Sequence, residues 1–355
     1  MTDPGERLRS SLAADSPPAG VEFDSPIAME AMRATRVLHA NEQEPFPAPG
    51  RIRVITIANQ KGGVGKTTST VNLGVALSLF GLRVLVIDLD PQGNTSTALG
   101  VDHSVGTPSI YDALVGESTL AEVTHPTTAS PDLRCIPATI DLAGAEIELV
   151  SVVAREHRLR RAIETHLHAL PAEERPHYVL IDCPPSLGLL TLNALVAGDE
   201  VLIPIQCEYY ALEGLGQLLS NIELVRAHLN PGISVSTILL TMYDGRTKLA
   251  DQVADEVRNH FGDLVLSSVI PRNVRVSEAP GYGQSVLTYD PGSRGSTSYV
   301  EAARELALRG VDLEPLVPVQ PTPAVAAAPP AAHPLSALVL GETVASVRSG
   351  PQENS

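Results

Sequence analysis

The stretch 51–80, RIRVITIANQKGGVGKTTSTVNLGVALSLF, changes character twice. It opens with a β-branched apolar run, Arg51–Ala58, which reads as a buried strand. It then passes Gly62, Gly63 and Gly65 and continues from Lys66 to Phe80 as a helical run closed by Gly81. Strand, glycine-rich turn and helix in that order form a phosphate loop, whose backbone N–H groups turn toward an anion while the helix N-terminus adds partial positive charge. The ordinary motif is G-x-x-x-x-G-K-[ST]. Aligned on Gly65-Lys66-Thr67, its first glycine falls at Gln60, and a second lysine, Lys61, stands at the mouth of the loop. Lys66 is expected to reach the β- and γ-phosphates of a nucleotide, and Thr67 to offer its hydroxyl to Mg²⁺.

Working outward, further apolar runs predict strands at Arg83–Asp88, Leu133–Pro137, Tyr178–Asp182, Glu200–Ile205, Val235–Met242 and Leu264–Ile270. Helical stretches lie between them at Glu146–His168, Leu212–Leu229 and Ala250–Phe261. Runs such as RVLVID and YVLID are apolar on both faces, as strands covered on both sides must be. The alternation predicts right-handed crossovers. The expected fold class is α/β: a P-loop NTPase-type, mostly parallel sheet with helices on both faces.

Apolar residues make up 43% of the 355, enough for a large core, but aromatics are only 3% and tryptophan is absent. Net charge is −16, which argues against a general polyanion-binding surface. Cys135, Cys183 and Cys207 form no C-x-x-C pair and offer no zinc signature. The first residues carry Asp3 and Glu6 and no apolar core of a signal peptide, and no run is long enough to span a bilayer. A cytoplasmic location is expected. Of 29 prolines, seven fall in residues 1–50 and eight in 311–355. The expected organisation is a low-order extension over 1–50, one folded domain over 51–310, and a Pro/Ala-rich disordered tail over 311–355. Within the tails, Pro26–Ala40 and Leu335–Val347 read either as disorder or as recognition segments.

Two more strand ends carry unusual residues. VLVIDLDPQGN (84–94) places Asp88 and Asp90 at a strand tip, and YVLIDCPPS (178–186) places Asp182 at another. Ligands of such sheets bind at the carboxyl ends of the strands. Carboxylates buried there are costly unless they meet a cation. One is expected to hold Mg²⁺ through water and one to position an attacking water.

KGGVGKTT, DLDPQGN, IDCPPSLGLLTLNAL, QCEYYALEGL and IPRNVRVSEAP together resemble the ParA/Soj chromosome-partitioning ATPases of the deviant Walker A group, over about residues 52–309. The resemblance implies an ATPase using ATP/ADP and Mg²⁺, slow without its partner. It implies that Lys61 reaches across a two-fold axis to the other subunit's nucleotide, so that ATP seals a homodimer. In this frame Asp90 is the water-activating aspartate, Asp88 the acid near Thr67 and Mg²⁺, and Asp182 the Walker B acid. Lys61, Gly62, Gly63, Val64, Gly65, Lys66, Thr67 and Thr68 would bind phosphates, and Pro271, Arg272 and Asn273 would line the adenine. The resemblance also implies nonspecific double-stranded DNA and a ParB-like centromere-binding protein as partners, and nucleoid association.

Residues 51–310 carry 20 basic and 29 acidic residues, so DNA binding needs a local basic patch. Arg246, Lys248 and Arg275 are the candidates, with Arg272 beside them; pairing of these arginines with Asp244 or Glu278 is the alternative reading. Rival functions are a MinD-type division-site ATPase, a nitrogenase-iron-protein-like redox ATPase and a scaffold with structural nucleotide. The first should end in a basic amphipathic helix, whereas 311–355 holds Arg348 as its one Lys or Arg. The second needs cluster cysteines that this chain does not place. Turnover would argue against the third. An operator-binding helix-turn-helix domain does not fit in fifty proline-broken residues, which favours chromosome over plasmid partition.

Overall fold

The computed structural model describes residues 44–313 apart from 209 and 210, together with Met32 and Thr35. Its centre is a seven-stranded sheet of order β3-β4-β2-β5-β1-β6-β7. The strands are β1 (Arg53–Ile57), β2 (Val84–Asp88), β3 (His125–Pro126), β4 (Leu133–Ile136), β5 (Tyr178–Asp182), β6 (Glu200–Gln206) and β7 (Ser234–Thr241). All pairings are parallel except β3 with β4.

Every residue of β1, β2 and β5 is buried, because helices cover both faces. Side chains alternate between two cores, as the pleat requires. Ile55 and Ile57 join Val71, Leu73 and Leu77 of α1 (Lys66–Leu79) and Leu306 of the helix Arg294–Leu308. Val54 and Ala58 join the opposite core, built from Leu159, Leu190, Ala194, Leu218 and Val257 on four other helices. The body also takes in residues ahead of Arg51. Phe46 stacks on Phe80 with ring centroids 4.2 Å apart, and its N–H donates to the Phe80 carbonyl at 3.0 Å.

Three expectations need correction. Leu264–Ile270 is not a strand: it meets β7 through an isolated bridge at Val265 and through the Leu266 and Ile270 N–H groups, which donate to Ile238 and Leu240, without a continuous ladder. The N–H groups of Ser267 and Ser268 instead donate to the Glu305 carboxylate at 2.8 and 2.7 Å, which takes them out of the ladder. The run Glu146–His168 is two helices, Leu142–Glu148 and Arg158–Ala169, parted at Ala154, whose φ of 55° no helix accommodates. The helices Leu189–Ala197 and Arg294–Leu308 were not anticipated. Leu335–Val347, and Pro26–Ala40 apart from Met32 and Thr35, lie outside the described residues. Among the described residues no helix is long and apolar enough to cross a membrane.

Candidate functional site

The glycine-rich loop leaves β1 and is held from both sides. The Asn59 amide donates to the Pro204 carbonyl at the end of β6 (2.8 Å), and its oxygen accepts the Lys61 N–H at 3.0 Å. The Thr241 hydroxyl, at the end of β7, donates to the Val64 carbonyl at 2.8 Å. Gly63 and Gly65 take φ of 73° and 90°, the left-handed region where a side chain is strained. A Cβ on Gly62 or Gly63 would meet nothing within 4 Å, so this edge of the loop faces open space of the kind phosphate oxygens fill. Gly65 caps α1, whose N-terminus therefore points at the same space.

Lys66 is buried, and its ammonium donates back to the Lys61 carbonyl at 3.3 Å. Burial lowers its pKa, with Asp182 acting in the opposite sense. The Thr67 hydroxyl donates to Asp182 at 2.7 Å, and the Thr95 hydroxyl donates to the same oxygen, also at 2.7 Å. Asp88, expected to be the acid beside Thr67, has other partners. It accepts the Ser96 N–H at 2.9 Å, the Ser96 hydroxyl at 2.7 Å and the Asp90 N–H at 3.2 Å. The reason is strand order: β5 lies between β1 and β2, so the start of α1 sits over Asp182, one strand short of Asp88.

Parallel register sets Asp88 directly beside Asp182. Both are fully buried, and neither makes an ion pair among the described residues. Burial pushes both carboxyls well above the usual range, and for Asp88 the neighbouring Asp182 charge adds to it. Two buried carboxylates beside a hydroxyl are a donor set that suits a hard divalent cation. Asp90, nearly buried one turn further on, accepts the Gln92 N–H at 3.0 Å.

Lys61 lies outside this cluster. Its ammonium pairs with Glu208 at 2.9 Å, and both side chains remain partly exposed. Thr68, also half-buried, spends its carbonyl on the Asn72 amide at 2.7 Å. The segment holding Pro271, Arg272 and Asn273 runs past the exit of β7. The Ile270 N–H donates to Leu240, Tyr243 to Ile270, and Arg272 to Tyr243. The Asn273 side chain accepts the Arg275 N–H at 2.8 Å and caps the helix Val274–Glu278. Of the cationic candidates, Arg246 is bidentate on Asp244 (2.8 and 2.7 Å). Arg275 pairs with Glu278 at 3.0 Å and Asp290 at 3.2 Å. Lys248 opens the helix Lys248–Phe261. The pairing alternative thus describes both arginines in the single chain. Thr95, Ser96 and Glu208 were missed; the hydroxyl-dense run NTST after DLDPQG was a signal for the first two.

An AAA domain family matches residues 52–235. The sporulation initiation inhibitor protein Soj of Bacillus subtilis is 52% identical over 258 residues, covering 73% of this chain and 99% of Soj. The chromosome partitioning protein ParA of Caulobacter vibrioides is 52% identical over 261 residues, 74% of this chain and 96% of that protein. The chain belongs to the ParA/Soj family of chromosome-partitioning ATPases. Among solved structures, a Mycobacterium smegmatis protein named cobyrinic acid a,c-diamide synthase, with bound ATP analog and magnesium, is 38% identical at a TM-score of 0.60, covering 71% of this chain and 93% of its own. The Pyrococcus furiosus cell division ATPase MinD is 29% identical at a TM-score of 0.58, covering 72% of this chain and 98% of its own. The P-loop lysine Lys66 and the strand-end carboxylates Asp88, Asp90 and Asp182 all lie within the family-matched residues 52–235.

Proposed function

We propose that this ParA/Soj chain is a DNA-partitioning ATPase whose ATP-bound form is a sandwich dimer. The observation that carries the reading is the pair of lysines at one loop, one buried and one outward. Lys66 sits inside its own site, while Lys61 stays at the rim, where a second subunit's phosphates are the charges it could serve. Gly62, Gly63, Val64, Gly65, Lys66, Thr67 and Thr68 hold the phosphates of ATP or ADP by N–H groups, a cation and hydroxyls. Pro271, Arg272 and Asn273 border the base. Thr67 and Asp182, with Asp88 next to it, hold Mg²⁺, which supplies charge neutralisation at the phosphates. The M. smegmatis structure with ATP analog and magnesium supports this ligand set.

Asp90 orients the attacking water. In a site that otherwise offers only Lys66 and carboxylates already engaged, unaided turnover is slow, and a ParB-like partner accelerates it. The dimer presents Arg246, Lys248 and Arg275 of both copies to nonspecific duplex on the nucleoid, and hydrolysis releases monomers that bind weakly. The likeness to MinD favours one second reading, a membrane-associated division ATPase; cosedimentation with anionic vesicles, driven by ATP, would support that one instead.

Sedimentation of Asp90→Ala protein with ATP or ADP, with and without nonspecific duplex, tests the cycle. The expected result is a dimer with ATP, a monomer with ADP, and DNA association of the dimer alone. A species that stays monomeric in saturating Mg²⁺ and ATP would end the proposal.

A further inference from the structure

The carboxyl end of β7 holds two parts of the site at once. Thr241 is the last residue of the strand, is buried, and pairs with Gln206 of β6 in the parallel ladder. Its hydroxyl crosses to the phosphate loop and donates to the Val64 carbonyl at 2.8 Å. The same side chain packs beside the next loop residue, since a Cβ built on Gly65 would lie 3.7 Å from Thr241 Cγ2. Two residues on, the chain has changed partner. Tyr243 bridges Pro271, its N–H donates to the Ile270 carbonyl at 3.0 Å, and its carbonyl accepts the Arg272 N–H at 3.0 Å. The Tyr243 hydroxyl donates to Asp251, which ties the ring to the helix Lys248–Phe261.

The change of partner falls at Met242, whose φ is 50°. Among the described residues only Ala154 otherwise takes a positive φ without being glycine. A side chain in that region crowds its own backbone, and the conformation persists only where surrounding contacts impose it. Here those contacts are Thr241 on the loop and Tyr243 on the segment Ile270–Arg272.

We propose that Thr241 is a positioning residue for nucleotide binding, and that the left-handed turn at Met242 lets one strand end set the phosphate loop and the base-bordering segment together. The inference rests on the nucleotide-binding reading above. In a planar trans peptide the N–H points opposite to the C=O, so anchoring the Val64 oxygen also fixes the direction of the Gly65 N–H. Gly65, at φ 90°, lacks the side chain that would otherwise resist rotation of that peptide. Without the Thr241 hydroxyl the peptide can turn, presenting an oxygen where phosphate needs a donor.

The test is a titration of the full chain with fluorescent ATP and ADP analogues in Mg²⁺, beside denaturant unfolding of the ligand-free protein. Thr241→Val removes the hydroxyl at nearly constant shape. A loop freed to hold its binding arrangement about a tenth of the time weakens both nucleotides on the order of 10-fold. Thr241→Ser should recover most of the affinity, and Thr241→Ala gives the same reading as valine should the valine variant not fold. Met242→Gly should bind as wild type does, whereas Met242→Val, β-branched and poorly suited to the left-handed region, should weaken both nucleotides. A lowered unfolding midpoint with wild-type affinity would make Thr241 merely structural and overturn the inference. So would a loss confined to ATP, or a serine variant as weak as the valine one. Equal affinities in the two Met242 variants would overturn the role of the turn. Wild-type protein that binds neither nucleotide would overturn the nucleotide reading itself, and this inference with it.

Discussion

The parallel sheet buries charge at both of its ends and treats it in opposite ways. At the amino ends, Arg53 of β1 grips Glu200 of β6 with two hydrogen bonds of 2.8 and 2.6 Å and spends its remaining nitrogen on the Leu306 carbonyl. Burial opposes both charges, yet each holds the other ionised: Glu200 lies below and Arg53 above its ordinary pKa. At the carboxyl ends, Asp88 and Asp182 lie side by side and shifted upward, and Lys66 is shifted downward. One end is a completed structural pair. The other keeps its ionisation unfavourable until something charged arrives. Buried charge alone does not mark a functional site; buried charge without its complement does.

The largest expected effect breaks the completed end. Arg53→Ala leaves Glu200 buried alone and should cost about 3–5 kcal/mol of stability in denaturant unfolding. A loss near zero would mean that Glu200 escapes to water. At the other end, Lys66→Ala should weaken ATP binding by roughly 10- to 100-fold, the worth of a charge-assisted bond of about 1.5–3 kcal/mol. The unfolding midpoint should hardly move, since a desolvated cation is removed. Undiminished nucleotide affinity would remove Lys66 from the site.

A smaller effect sharpens the contrast through pH. Asp88 and Asp182 have raised pKa values in the fold, so the folded state binds more protons than the unfolded chain. Their contribution is favourable at low pH and is lost as pH rises from the ordinary carboxylate range through the folded values. Glu200 behaves oppositely: its contribution is present above the ordinary range and lost as pH falls. Asp88→Asn should therefore flatten the decline of ligand-free stability between about pH 4 and neutrality, each unit of pKa difference being worth about 1.4 kcal/mol. Thermal melts across pH would show this, and an unchanged slope would mean that Asp88 carries none of it. The smallest effect is Arg246→Ala: its pair with Asp244 is solvent-exposed, so the unfolding midpoint should hardly move, and a clear drop would mean that the pair does hold the turn.

The strands and the phosphate loop were legible because apolar runs and glycine spacing are local signals. Tyr178–Asp182 matches its prediction residue for residue. What failed depended on distant partners. Ser267 and Ser268 read as strand, but Glu305, 38 and 37 residues away, takes their N–H groups. The short β3 contains a proline and owes its pairing to β4 rather than to its own pattern. Asp88 was set beside Thr67 because motif order carries no information on strand order, and only β5 lying next to β1 brings Asp182 there. The charged partners Glu208, Glu278 and Asp290 likewise become partners only once the chain has folded.

The Gly50 N–H donates to the Gly310 carbonyl at 3.0 Å, beside the Arg53 that opens β1. Residues 50 and 310 therefore meet at one corner, at the end of the sheet remote from Lys66. A circularly permuted version should be practicable, with the segment before Gly50 kept through Phe46, joined by a linker to the segment after Gly310, and new ends opened in an exposed turn such as that around Gly106, which is left-handed and open. A reporter placed at those new ends would sit elsewhere on the surface than one attached at the natural corner. The pair of fusions would then report from two positions on the same molecule without altering any residue of the nucleotide pocket.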